Sequence, residues 1–303
     1  MSSLLTNSTA MTALQTLRSV GSQLATTQTR ISTGQRVSTA SDNAAYWSIA
    51  TSMRADNAAL SAVSDSLGLS AATVDTEYTA LTTVIGDKNG GLTKLQALLV
   101  EAKTAGIDRV KIQADVTQIQ QQMKATASAA TFNGVNWLSA TAATGTVDLV
   151  SSYSRVSGTP TVGKITLTVA NYTLYNTAGN TGILDKVSGG ASVDTIAIGA
   201  LQDTVPADMT TLDGYIAQVT AAINTVAGAA ADLGAVKNRI STNTDFVKSL
   251  MDSVDRGIGQ LVDADMNQES TRLSALQVQQ QLGVQALSIA NNSSQSILSL
   301  FRG

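Results

Sequence analysis

The chain has 303 residues, a formal charge of −3, no Cys and no His. Those absences exclude thiol chemistry, Cys/His zinc centres, Ser-His-Asp triads and disulfide scaffolds, and the slightly acidic balance argues against a nucleic-acid-binding face. Hydrophobic residues make up 43% but aromatics only 4%, so the core must be built from Ala, Leu, Val and Ile, which suit narrow helix–helix seams.

The N-terminal stretch MSSLLTNSTAMTALQTLRSV has no Lys or Arg before Arg18 and no unbroken apolar run, so it does not read as a secretory signal peptide. No window approaches the roughly 20 apolar residues of a membrane span. By those rules the chain is cytoplasmic unless it leaves the cell by another route. Leu4, Met11, Leu14, Leu17, Leu24 and Ile31 are placed on one helical face, and residues 1–17 contain no charged side chain.

TGQRVSTASDNAAYWSIA comes next, from Thr33 to Ala50. Gly34 can take the left-handed conformation that ends a helix. Ser38, Thr39 and Ser41 offer N-caps for the next helix, with Asp42 in its first turn. The stretch is therefore a helix–linker–helix joint built on Gly34, Ser41, Asp42 and Asn43, with no activated nucleophile.

Leu60, Val63, Leu67, Val74, Tyr78, Leu81 and Ile85 share one register, and Leu92, Leu95 and Leu99 continue it. The intervening GDKNGG looks like a turn, yet the phase is preserved, which predicts a local bulge in one helix. A second helix carries Ile112, Val116, Ile119, Met123 and Ala127 on one face and ends at FNGVNWL, where Asn-Gly signals a turn. From about residue 140 to 205 the chain turns rich in Thr, Val and Gly. Alternation in KITLTVANYTLY predicts strand, with breaks at Gly163, Gly179 and Gly189–Gly190. Pro206 closes this segment, and Asp208 or Thr210 can cap the long helix after it.

That helix carries the longest pattern in the chain. Leu212, Ile216, Val219, Ile223, Val226, Ala230, Leu233, Ile240, Val247, Met251, Val254, Ile258 and Leu261 hold one seven-residue repeat, broken only by Lys237 and Thr244. VDADMNQES places Asp263 and Asp265 close together; it lacks the Gly and closing Glu of a calcium loop and reads as a helix N-terminus. Beyond it, Leu273, Leu276, Val284, Leu287, Leu298 and Phe301 form one stripe, and Leu282 and Ile289 a second. Residues 273–301 contain no charge.

A helix apolar on broad faces and uncharged elsewhere is normally buried. Pairing the two ends would cover only one side of each, so the rest must find surface on other copies. For residues 60–130 and 210–261 the apolar stripes read as an internal bundle core. For the charge-free ends they read as a subunit interface. A membrane-surface helix would carry Lys or Arg on its polar face, and these do not. No phosphate-cradling glycine motif appears in a strand-to-helix context, so neither catalysis nor a cofactor is expected.

Several of these segments resemble bacterial flagellins, in family order. ISTGQRVSTASDNAAYWSIA is similar to the flagellin joint, FNGVNWL to its Phe-Asn-Gly turn, LGAVKNRI to its Leu-Gly-Ala-x-x-Asn-Arg motif, and QQQLGVQALSIANNSSQSILSLFR to its C-terminal helix. The resemblance covers about residues 1–139 and 207–303; Tyr46-Trp47-Ser48 resembles alphaproteobacterial members.

The resemblance implies a mainly α fold, a long antiparallel coiled-coil rod formed by both chain ends with a small β-rich outer insert. Residues 1–33 and 266–303 would be the polymerisation domain lining a filament channel, 34–139 and 206–265 the inner rod, and 140–205 the variable outer segment. It implies a secreted subunit of an extracellular filament, exported unfolded, which fits the absent signal peptide and Cys. Implied partners are other copies of the chain, an export chaperone, a filament cap and hook-junction proteins. LQALLVEAK lacks the Arg-rich pattern of receptor-stimulating members, so contact with host innate receptors is expected to be weak. The alternatives are a hook–filament junction protein of the same family and a non-polymeric surface adhesin.

Overall fold

The computed structural model describes residues 7–86, 90–140, 145–156, 159–188 and 190–302, with residues 156 and 293–302 described by backbone alone. Leu4 therefore lies outside the described residues, and so do the side chains of Leu298 and Phe301. The helices are α1 (Ser8–Thr33), α2 (Ala44–Ile85), α3 (Gly91–Glu101), α4 (Arg109–Ala129), α5 (Pro206–Val262) and α6 (Met266–Arg302). The strands are β1 (Ser139–Ala140), β2 (Thr146–Val156), β3 (Thr159–Thr168) and β4 (Tyr175–Asn176). The fold is mainly α with a small strand-containing insert, as the periodicities predict. Contacts divide the chain into two compact units, residues 1–58 with 251–303, and residues 59–250.

In the first unit α1 packs along α6. Three contacts fix the pairing as antiparallel. Asn7 Nδ2 donates to the Ala290 carbonyl at 3.0 Å, Leu17 meets Gly283, and Arg30 pairs with Glu269 at 3.1 Å. A Cβ on Gly283 would stand 2.9 Å from Leu17 Cδ1, so a larger residue there would push the Leu17 side chain aside. Also in this unit, Ala50 of α2 packs with Ile258 and Val262 of α5, and Met53, Val254 and Leu261 surround them.

The second unit buries the predicted seams. Leu60, Val63, Leu67, Val74 and Leu81 of α2, and Leu212, Val219, Val226, Leu233, Ile240 and Val247 of α5, are core residues. Each such side chain contributes roughly 1.5–3 kcal/mol by leaving water. Lys237, which breaks the α5 stripe, pairs with Asp75 and lies 5.7 Å from the centre of the Tyr78 ring. Ile112, Val116, Ile119, Met123 and Ala127 of α4 are buried as one face.

α5 is also, by length and a mean hydropathy of 1.4 over its most apolar window, able to cross a bilayer, contrary to the reading that no window qualifies. Its apolar stripe is nevertheless a buried core seam, which demands the same composition.

The phase kept between Ile85 and Leu92 has a structural counterpart. The expected single bulged helix is instead two, α2 ending at Ile85 and α3 beginning at Gly91, but the chain re-enters close to where it left. A Cβ on Gly91 would stand 2.5 Å from the Val84 carbonyl, and Gly91 itself has φ 70°. Thr93 Oγ1 donates back to the Ile85 carbonyl at 3.0 Å.

The insert departs more from expectation. Gly163 does not break a strand; it lies inside β3, which pairs antiparallel with β2. The register shifts between Val150 and Ser152, and Ser152 Oγ would be 2.3 Å from a Cβ at 163, so the glycine accommodates a bulge. β1 and β4 pair parallel over two residues each. Pro206 is the first residue of α5, where its missing N–H costs nothing. Neither Asp208 nor Thr210 caps that helix. Asp208 accepts from the Gln202 N–H instead, and the Thr210 hydroxyl donates to the Pro206 carbonyl.

Candidate functional site

The terminal helices separate their apolar residues into two sets. Along α1 the less exposed positions are Ala13, Leu17, Val20, Leu24, Thr27 and Ile31, alternating steps of three and four. Along α6 they are Glu269, Leu273, Leu276, Gly283, Leu287 and Ala290. These are the seam of the α1–α6 pair.

Met11 and Leu14, which periodicity groups with Leu17, Leu24 and Ile31, instead fall off the seam and are exposed, Met11 to 67%. Leu282, Val284 and Ile289 are exposed as well, Ile289 to 70%. Val284 thus parts from Leu273, Leu276 and Leu287. Val278 joins the exposed set. It escapes a search for core stripes, but it becomes visible once positions 273, 276, 283 and 287 are recognised as the covered side.

The polar residues between these apolar side chains are prepared for burial. The hydroxyls of Thr12, Thr16, Thr26, Thr29 and Thr33 each donate to the carbonyl four residues earlier, at 2.8–3.0 Å. Thr271 and Ser274 do the same on α6. A hydroxyl already bonded to its own backbone leaves no orphan donor when another surface covers it. The sequence from residue 273 to 301 carries no charge to desolvate.

The joint is held by main chain. Gly34 has φ 71° and ends α1. The N–H groups of Arg36 and Ala264 donate to the carbonyls of Val262 and Gly34, at 2.7 and 2.9 Å. The Arg36 guanidinium donates to the Gln260 and Leu261 carbonyls, satisfying the end of α5.

The cap of α2 differs from expectation. Asn43, not Ser38, Thr39 or Ser41, accepts from the Ala45 and Tyr46 N–H groups. Asp42 lies before the helix and closes the turn, one carboxylate oxygen accepting from the N–H groups and hydroxyls of Thr39 and Ser38. Those bonds, the Thr39 N–H foremost, hold its carboxyl below the usual carboxylate range. Ser41 is exposed and shares a hydroxyl contact with Thr39. Asp265 caps α6 through the Asn267 and Gln268 N–H groups, as the acidic stretch predicts.

A hydrogen-bonded joint feeding a pair of helices that stay apolar on their outer sides defines a helical, self-associating structural protein. Comparison with known proteins agrees. The bacterial flagellin N-terminal helical region matches residues 4–143 and the C-terminal helical region matches residues 216–301. The chain is 45% identical to flagellin C of Rhizobium meliloti (strain 1021) over 324 aligned positions, covering all of both chains. It is 46% identical to a flagellin of Brucella melitensis biotype 1 over 311 positions, and 40% identical to flagellin A of Rhizobium meliloti over 399, again covering all of both. The chain belongs to the bacterial flagellin family. It is a structural subunit of the extracellular flagellar filament, self-assembling and serving motility, and not an enzyme.

Proposed function

We propose that copies of this chain polymerise through the outward faces of α1 and α6, with Met11, Leu14, Val278, Leu282, Val284 and Ile289 as the contact residues. Leu17, Leu24, Ile31, Leu273, Leu276 and Leu287 shape the pair that presents them. Leu4, Leu298 and Phe301 extend the same chemistry towards the chain ends. The observation that carries this reading is the exposure of Met11, Leu14, Val278, Leu282, Val284 and Ile289, together with a sequence that has no charge from residue 273 to 301. Residues 1–33 with 266–303 then form the polymerising layer around the channel, 34–139 with 206–265 the inner rod, and 140–205 the outer segment.

The polymer also needs a route out and a place to grow. Unfolded export by a type III route, a chaperone that shields α6 before export, a distal cap and hook-junction proteins complete the proposal. The chaperone is motivated by the same surface, since exposed apolar helices associate prematurely. Host innate receptors are proposed as weak partners only. A full response at low dose in a receptor-reporter assay would count against that.

The experiment is seeded growth. Protein heated to monomer and cooled with short filament seeds should elongate them, seen by electron microscopy. Amide exchange in residues 7–33 and 266–292 should slow by at least about 100-fold on incorporation, which corresponds to a few kcal/mol of local stabilisation. Exchange already as slow in the dilute monomer refutes the proposal.

A further inference from the structure

A carboxyl lies deep in the second unit with no counter-charge among the described residues. Glu77, on α2, has no exposed surface. Its Oε1 accepts from the backbone N–H of Trp137 at 2.8 Å, and its Oε2 is sealed from solvent with no hydrogen-bond partner. The charged groups on the surrounding elements are engaged elsewhere or face water. Asp75 pairs with Lys237, Lys124 pairs with Asp194, and Asp232 on α5 is exposed.

Trp137 is where the insert is seated. It comes just after the turn at Phe132–Val135, where Asn133 and Gly134 both have positive φ. Its carbonyl accepts from the Thr173 hydroxyl at 3.0 Å. The next carbonyl, of Leu138, accepts from both Leu174 and Tyr175 N–H groups at 2.9 Å. Trp137, Leu138, Leu174 and Tyr175 are all buried. A single carboxyl on α2 thus holds the strand from which the insert departs and to which β4 returns.

We propose that Glu77 is a proton-linked latch: as the neutral acid it seats the 132–139 segment and the root of the insert, and as the anion it loosens that seat. A buried carboxylate with one hydrogen bond and no cation is costly, so the site either keeps its proton or admits water. Burial raises the Glu77 pKa from 4.5 to about 7, against the smaller opposing effect of the Trp137 N–H. Below pH 4.5 the group is neutral in the folded and unfolded chain alike. Stability then falls as pH climbs from 4.5 through about 7 and levels off above that.

The test uses the full-length monomer. The chain has three Glu residues, Glu77, Glu101 and Glu269, so carboxyl-13C-Glu labelling gives a spectrum assignable with Glu101→Gln and Glu77→Gln. Glu77 should titrate well above the ordinary value of 4.5. Protection factors for residues 132–140, corrected for intrinsic exchange, should fall at least about tenfold between pH 5.5 and 8.5. In Glu77→Gln, which keeps an acceptor for the Trp137 N–H and cannot ionise, protection should not change over that range. A wild-type midpoint near 4.5, flat wild-type protection, or an equal fall in Glu77→Gln overturns the proposal. Should Glu77→Gln not fold, the labelled titration of the wild type, Glu101→Gln and Glu269→Gln decides alone.

Discussion

A chain carrying Leu282→Asp and Ile289→Asp is expected to fold normally and to fail completely at filament growth. Both side chains are more than half exposed in the single chain. The substitutions therefore remove little internal packing, and most of their cost to the monomer is helix propensity, about 0.5 kcal/mol each. In the polymer each position would lose roughly 1.5–3 kcal/mol of apolar burial, and each new carboxylate would be buried unpaired at a further cost of several kcal/mol. The sum is on the order of 10 kcal/mol per subunit, or some seven powers of ten in affinity. Far-UV circular dichroism should match wild type while seeded elongation falls below detection. Elongation within tenfold of wild type would remove these residues from the interface. Leu17→Asp is the instructive contrast. It strikes the α1–α6 seam opposite Gly283, so it should lower monomer helicity as well as growth.

The two outcomes rest on a division that periodicity only partly reveals. The α5 stripe and the α4 face were legible because heptad spacing over many turns admits one solution. The terminal helices carry apolar residues on more than one stripe. Which stripe faces the partner helix depends on where Leu17 meets Gly283 and where Arg30 reaches Glu269. Neither fact is local. Gly34 ends α1 as its residue type predicts. The cap of α2 falls on Asn43 rather than on Ser38, Thr39 or Ser41, because all of these residue types can cap. The turn in which the Asp42 N–H donates to the Thr39 carbonyl commits Asp42 to Ser38 and Thr39, leaving Asn43 for the helix. In the insert, two-residue strands such as β1 and β4 exist only because Leu138 and Tyr175 meet in a core, so alternation has nothing to report.

Arg109 illustrates the same limit and carries the second large prediction. An arginine in the first turn of a helix opposes the helix dipole, and nothing in its sequence neighbourhood marks it out. The structure nevertheless buries it, leaving 5% of its surface exposed. Its Nε donates to the Ala102 carbonyl at 2.8 Å, Nη1 donates to the Leu201 carbonyl at 3.1 Å, and Nη2 pairs with Asp203. Asp203 also accepts from the Gly106 N–H. That bond first, and the Arg109 hydrogen bond second, hold its carboxyl below the usual range. One side chain thus ties the end of α3 and the turn before α4 to the segment returning from the insert to α5. Arg109→Ala orphans two carbonyls and leaves Asp203 without its cation, so it should destabilise the second unit by about 3–5 kcal/mol. Arg109→Lys should recover little, because one ammonium cannot span three acceptors arranged for a planar fork. Chemical denaturation at pH 7 reads both. The Asp203 share is present above the ordinary carboxylate value of 3.8 and is lost as pH falls through its lower folded-state value, so the gap between wild type and Arg109→Ala should narrow in strong acid. A loss under about 1 kcal/mol, or full rescue by lysine, would show that the buried fork is not what fastens the insert.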